Sequence, residues 1–320
     1  MKSIEIRKHH YVPQFLLRNF ATEERESLFA FDKLQECQFA VAVNDAAAEK
    51  GYNTFETSDG IGCAEEILTA IETRVSDIIH SMVKNRQLPK VSQTDKKALA
   101  ELAVSQILRS KNYRAIFEQT GEVLRKLAEL QGTPEFKKWV GDPNPAKEKR
   151  TLLEDFDKKI ADFLPYMLDK DLALFSAPEE APLLIGDSPV IRTNTMNTSE
   201  LVGTQGLACV GVEIYLPLSP TLVLGFMCPS INGVTRELIY RLGNQADTFS
   251  ISYQSALHFG RPVPLQRPNV DFMNSHQVLS AERFVYSQSG DFQLVKKMIE
   301  DDPARKAGAR VTISPPFDYL

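Results

Sequence analysis

Near residue 176 the chain changes texture, from long stretches of helical periodicity to short β-branched and aromatic runs broken by Gly and Pro. No fold of a single class accommodates both patterns. Between Cys63 and Arg86, Ile67, Leu68, Ile71, Val75, Ile78, Ile79 and Met82 recur at three- and four-residue spacing, and Pro89 closes the run. That spacing predicts a helix with one apolar face. Ser92 or Thr94 then offers an N-cap for a second helix to about Gly121, continuing to about Leu130, whose apolar residues Ala98 to Leu108 surround most of its circumference. The proline- and glycine-containing stretch 132–145 reads as a loop, and a charged helix follows over about 147–170.

Beyond Ser176, APLLIGDSPVIRT, VGVEIYLPLSPTLVLGFM and AERFVYSQS read as strands and turns, and LFAFDKLQECQFAVAV at 28–43 reads as an early hairpin. The expected architecture is α+β, a helix-rich middle packed on a mainly antiparallel sheet formed by the N-terminal hairpin and the C-terminal half. It is read as one domain over 1–290, helical over about 62–175 and strand-rich over about 176–290. Residues 291–320 are read as a C-terminal extension.

Charge and composition narrow the functional classes. The net charge of −5 argues against a chain whose whole surface binds nucleic acid. Residues 84–150 nevertheless hold 15 Lys and Arg against 8 Asp and Glu, a local +7 that leaves −12 elsewhere. Such asymmetry suits either a phosphate-facing surface or a solvated helical face. The most apolar stretch, 207–228, is interrupted by Glu213, Pro217 and Pro220, so no membrane partner is expected. The charged start MKSIEIRKHH lacks the pattern of a signal peptide, and Cys37, Cys63, Cys209 and Cys228 form no C-x-x-C motif. A reducing cytoplasmic location is the expectation.

Three constellations carry candidate chemistry. The segment HHYVPQFLLRNF places His9 and His10 beside Gln14, Arg18 and Asn19 in an apolar context. Imidazole serves as metal ligand or general acid and base near neutrality, or simply packs near a terminus. On the helices, Glu65 and Glu72 share one flank, while Gln106, Arg109 and Tyr113 fall on the same stripe as Leu99 and Leu102. A buried guanidinium requires a carboxylate partner, a wet cleft or an anionic ligand, and Glu65 and Glu72 are candidate partners. Third, Gly186-Asp187-Ser188-Pro189 presents a carboxylate at a strand end, where ligands and metals are often met, although such turns are common.

These blocks occur in order with PLSP at 217–220 and NSHQVLSAERFVYS at 274–287. Together they resemble the DUF4238 family over roughly His9 to Ser287. The resemblance implies a related fold and a shared set of polar positions: His9, His10, Gln14, Asn19, Gln106, Arg109, Asp187, Asn274 and Arg283. It brings no established activity.

P-loop, dinucleotide-binding, zincin and nucleophile-elbow motifs are absent from the sequence. Phe31-Asp32-Lys33 falls short of a nuclease core and more often ends a hairpin strand. The leading expectation is a cytoplasmic hydrolase acting on a phosphodiester or other phosphorylated substrate, a small molecule or nucleic acid, with a divalent metal as candidate cofactor. In that scheme His9 or His10 is base or ligand, Asp187 and Glu72 hold the metal, and Arg109 neutralises developing charge. Gln14, Asn19, Gln106, Asn274 and Arg283 contact substrate. The alternatives are a non-catalytic sensor of an anionic ligand or nucleic-acid end, and a buried polar network that fixes helix against sheet.

Overall fold

The structure, a computed structural model, describes residues 7–22, 26–199 and 203–310. From the N-terminus, β1 (Lys8–His10), α1 (Gln14–Arg18), β2 (Ser27–Asp32), β3 (Cys37–Ala42), β4 (Ala48–Lys50), β5 (Thr54–Thr57) and β6 (Gly60–Cys63) precede the helical middle. That middle comprises α2 (Glu65–Asn85), α3 (Gln93–Arg109), α4 (Lys111–Gln131), α5 (Pro134–Val140), α6 (Pro145–Leu153) and α7 (Phe156–Leu168). The C-terminal half contains β7 (Asp171–Ser176), β8 (Ile185–Gly186), β9 (Ile191–Thr193), β10 (Glu213–Ser219), β11 (Leu222–Met227), α8 (Pro229–Leu242) and α9 (Thr248–Phe259). It closes with β12 (Val263–Pro264), α10 (Arg267–Ser280), β13 (Phe284–Ser287) and α11 (Gln293–Asp301). The class is α+β, as expected.

The strands do not form one sheet. A five-stranded sheet has the order β12-β7-β11-β10-β9, and a four-stranded sheet, β3-β2-β13-β8, takes in the N-terminal hairpin. Pairing is antiparallel throughout both except between β12 and β7. The split follows from side-chain alternation. Leu172, Leu174, Ile214, Leu216, Leu224 and Phe226 join the core formed by α2, α3 and α7. Their neighbours Ala173, Phe175, Tyr215 and Val223 face the opposite core with Leu28, Ala30, Ile185 and Tyr286 of the four-stranded sheet. Cover on both faces explains why these strands read as continuous apolar runs.

Helix starts follow local capping chemistry. Ser92 Oγ accepts from the Asp95 N–H at 3.1 Å while the Asp95 carboxylate accepts from the Ser92 N–H, closing a capping box on α3. The single long helix expected from residue 92 is two helices, because Ser110 adopts an extended backbone and its Oγ caps α4 by accepting from the Tyr113 N–H. The expected loop 132–145 contains α5, started by Thr133 as cap and Pro134 in its first turn. Asp155, at φ 52°, divides the charged helix into α6 and α7. Residues 291–310, read as an extension, pack on the fold: Phe292, Val295, Met298 and Ile299 are buried with Phe31, Val278 and Val285. Residues 311–320 lie outside the described residues. Among those described, no helix is long and apolar enough to cross a membrane.

Candidate functional site

The N-terminal motif and the Gln-x-x-Arg helix meet in one network. His9 is buried on β1, where its Nδ1 accepts from the Asn53 N–H at 3.0 Å. The Asn53 amide donates to Glu65 Oε2 at 2.7 Å. Arg114 donates to the Tyr52 carbonyl at 2.9 Å and lays its guanidinium over the Tyr52 ring, 3.4 Å from the centroid. Tyr52 in turn donates its hydroxyl to the Arg109 carbonyl at 2.8 Å. Arg109 is fully buried at the end of α3, with Nη2 2.7 Å from Glu72 Oε1 on α2. Gln106, one turn earlier, satisfies its amide only with the oxygen turned toward Arg109 Nε and Nη2. The buried charge is thus compensated within the protein.

His10 is half-buried beside this network. Its Nδ1 lies 3.3 Å from Gln14 Nε2, and the Gln14 oxygen accepts from Arg18 at 3.0 Å. Burial, reinforced by Lys8, holds the imidazole below its usual pKa, opposed in part by Glu72. Its buried Nε2 has no partner among the described residues. Asn19 donates to the Leu218 carbonyl at 2.8 Å, tying the segment after α1 to the PLSP junction.

A second network holds the Gly-Asp-Ser-Pro turn. Asp187 is completely buried after β8, where Oδ1 accepts from the Glu282 N–H at 2.7 Å. Its Oδ2 accepts from the N–H groups of Arg283 and Phe284 at 2.7 and 2.8 Å. Burial pushes its pKa up against the pull of these N–H groups and Lys33. Gly186 is required by close packing, since a Cβ there would sit 3.1 Å from the Gln277 carbonyl and Ala281 Cβ on α10. Asn274 braces the same turn, accepting from the Leu184 N–H at 2.8 Å and donating to the Pro182 carbonyl at 3.0 Å. Arg283 pairs with Asp32, Nη2 to Oδ2 2.6 Å.

The sequence reading missed two members of this network. Gln277 accepts from the Gly186 N–H and donates to the Pro189 carbonyl, both at 2.8 Å. Lys33 is fully buried and donates to the carbonyls of Val278 and Ala281 at 2.6 Å, and burial lowers its pKa to about 8. The Asp32-Lys33 pair at a strand end was the available signal for Lys33.

The residues expected to form one catalytic centre therefore occupy two networks. His10, Glu72, Gln106 and Arg109 gather on the helical side, while Asp187, Asn274 and Arg283 fasten the turn to α10 and β13. Among the described residues no hydrogen bond or ion pair joins Asp187 to Arg109 or to either histidine, and no three His, Cys, Asp or Glu side chains are grouped to hold a metal ion. Glu72 directs Oε1 at Arg109, and both Asp187 oxygens accept backbone N–H groups.

Where the two networks end, a cavity begins. Ser110 follows Arg109, Ser188 follows Asp187, and both line a space of about 250 Å³ with Asn112, Tyr113, Arg192 and Arg310. The α4 N-terminus opens here, and the Asn112 N–H donates to Ser188 Oγ at 3.2 Å. Arg310 is held by Glu282, Nη2 to Oε1 2.6 Å. Arg192, on edge strand β9, has no hydrogen bond or ion pair among the described residues. Burial lowers its pKa from the usual arginine value, and only Tyr113 acts against that. Among the described residues no carboxylate lines the cavity. The cavity brings together two guanidinium groups, hydroxyls and the first turn of α4.

The model of a family described as a protein of unknown function, DUF4238, matches residues 8–291. No curated relative and no solved structure matches the chain. The matched span takes in both networks from His9 to Arg283 and, of the cavity lining, all but Ala309 and Arg310. Nearly the whole chain is covered, and the protein belongs to the DUF4238 family.

Proposed function

We propose that the protein is a receptor for a small phosphate-bearing anion, bound in the cavity between the N-terminus of α4 and β9. The observation that carries this reading is Arg192, a half-buried guanidinium that faces the cavity with no hydrogen bond or ion pair among the described residues, none of whose carboxylates lines that space. A partly desolvated guanidinium without a protein partner is free to make charge-assisted, bidentate hydrogen bonds to a bound oxyanion. The volume, about 250 Å³, is below the ~300–1,000 Å³ typical of drug-sized ligands, which favours a phosphoryl group over a whole nucleotide.

Binding is favoured over turnover by the lining itself. Ser110, Tyr113 and Ser188 supply hydroxyls, but among the described residues no His, Asp, Glu, Cys or Lys lines the cavity as base or metal ligand. In this reading Arg109 and Asp187 act as mounts that fix the following serines. Calorimetric titration with pyrophosphate tests it. Saturable binding is expected for the wild type, weakened at least about tenfold in Arg192→Met, in line with the loss of a charge-assisted hydrogen bond worth about 1.5–3 kcal/mol. Equal affinity in the two proteins, or no binding by either, would overturn the reading. Hydrolysis of bis(4-nitrophenyl) phosphate that disappears in a folded His10→Ala variant would restore the hydrolase instead.

A further inference from the structure

The other face of the five-stranded sheet carries a cavity of opposite character. In the β9–β10 ladder Arg192 pairs with Ile214, on the face turned to the helical core, whereas Thr193 pairs with Glu213 and Ile191 with Tyr215 on the reverse face. On that reverse face, between the sheet, α9 and α10, lies a space of about 630 Å³ lined by Phe175, Glu213, Tyr215, Phe249, Phe272 and neighbouring residues. This volume falls within the range of small-molecule sites.

Glu213 is 6% exposed and forms no ion pair among the described residues. Its Oε1 accepts from the N–H and hydroxyl of Thr195, and its Oε2 accepts from the Tyr215 hydroxyl at 2.6 Å. A carboxylate offers about four lone-pair sites, so three protein donors leave acceptor capacity toward the cavity. Among the described residues no Lys, Arg or His lines the space to neutralise it.

The remaining wall is aromatic and held in place. Phe175 stands edge-on to Tyr215 with centroids 5.4 Å apart, and Gly225 clears room for it, since a Cβ there would lie 2.6 Å from the Phe175 ring. Phe249 stacks on Tyr253 at 5.6 Å, and Phe272 contacts His276 at 4.2 Å. Phe249 and Phe272 remain 43% and 41% exposed, unusual for rings fixed by neighbours. Ring faces attract cations, and a desolvated carboxylate does so more strongly.

We propose that this cavity is a second ligand site, specific for a small organic cation whose ammonium group meets Glu213 and whose apolar body lies against Phe249 and Phe272. It lies on the face of the sheet opposite the oxyanion cavity and stands whether or not that cavity binds phosphate.

The test is calorimetric titration of the full chain with phenethylammonium, and with 2-phenylethanol as a neutral molecule of similar size. The ammonium is expected to bind saturably and at least about tenfold more tightly than the alcohol. Glu213→Gln is expected to remove that preference, and Phe272→Ala to weaken ammonium binding several-fold. Equal binding of the two probes, an undiminished preference in folded Glu213→Gln, or no saturable binding of the ammonium overturns the proposal. Should Glu213→Gln fail to fold, Phe272→Ala decides, because its half-exposed ring is removable without opening the core. Unchanged affinity in that variant also overturns the proposal.

Discussion

Arg109 is fully buried and Arg192 half-buried, and their surroundings differ in sign. Arg109 meets Glu72 and Gln106, so its charge is spent on holding α3 to α2. Arg192 meets a cavity with hydroxyls and no carboxylate. Periodicity exposed Arg109, because a cation on the stripe of Leu99 and Leu102 demands an explanation, and Glu72 was among the partners visible in the sequence. Nothing local marks Arg192, since one Arg in a short strand is ordinary and its lack of a partner exists only in three dimensions. Lys33 yields a prediction of its own. Its pKa is lowered by burial from 10.5 to about 8, so between those values the unfolded chain binds the extra proton. Stability attributable to Lys33 therefore rises with pH across that window, by about 3 kcal/mol at ~1.4 kcal/mol per pH unit of displacement. Urea unfolding of wild type and Lys33→Met at pH 8 and at pH 10.5 should show the difference moving in favour of wild type. A constant difference contradicts this assignment.

At the scale of elements, the break between α3 and α4 positions the oxyanion cavity. A single helix through residue 110 was the natural reading, because no Gly or Pro lies between residues 93 and 120 and apolar spacing continues on both sides. The break comes from Ser110 capping α4, and from Asn112, whose N–H is taken by Ser188 of a distant turn. Tertiary contacts of that kind leave no periodic trace. Ser110→Ala should cost about 1 kcal/mol of stability, the usual worth of an N-cap, measurable as a lower urea midpoint with an unchanged slope. No loss would mean that the cap contributes nothing to the break. The same reasoning applies to α5, where Pro134 was counted as a breaker although after Thr133 it occupies a first-turn position. The strands fared better, since β2, β3, β10, β11 and β13 fall within the β-branched and aromatic runs.

At the scale of the molecule, a five-stranded sheet is sealed by helices on one face and by a second sheet with α9 and α10 on the other. The texture foretold the class, but residues 176–290, read as strand-rich, also carry α8, α9 and α10, and the division of the strands among four sheets was not legible, because apolar runs do not say which strands share a ladder. The polar motifs were legible as a set; their separation into two networks was not, since sequence order carries no distance. On the proposed function, the networks are mounts and Arg192 is the group left for a ligand. Unfolding free energy, measured for wild type and Arg192→Met with and without saturating pyrophosphate, tests that division most directly. Without ligand, Arg192→Met should be about as stable as wild type, because the half-buried guanidinium makes no hydrogen bond or ion pair among the described residues. With ligand at a hundredfold over the wild-type Kd, the wild type should gain about 2.7 kcal/mol and the variant, binding at least about tenfold more weakly, no more than about 1.4 kcal/mol. A variant that is strongly destabilised without ligand, or that gains as much as the wild type, would place Arg192 among the structural residues and contradict the oxyanion site.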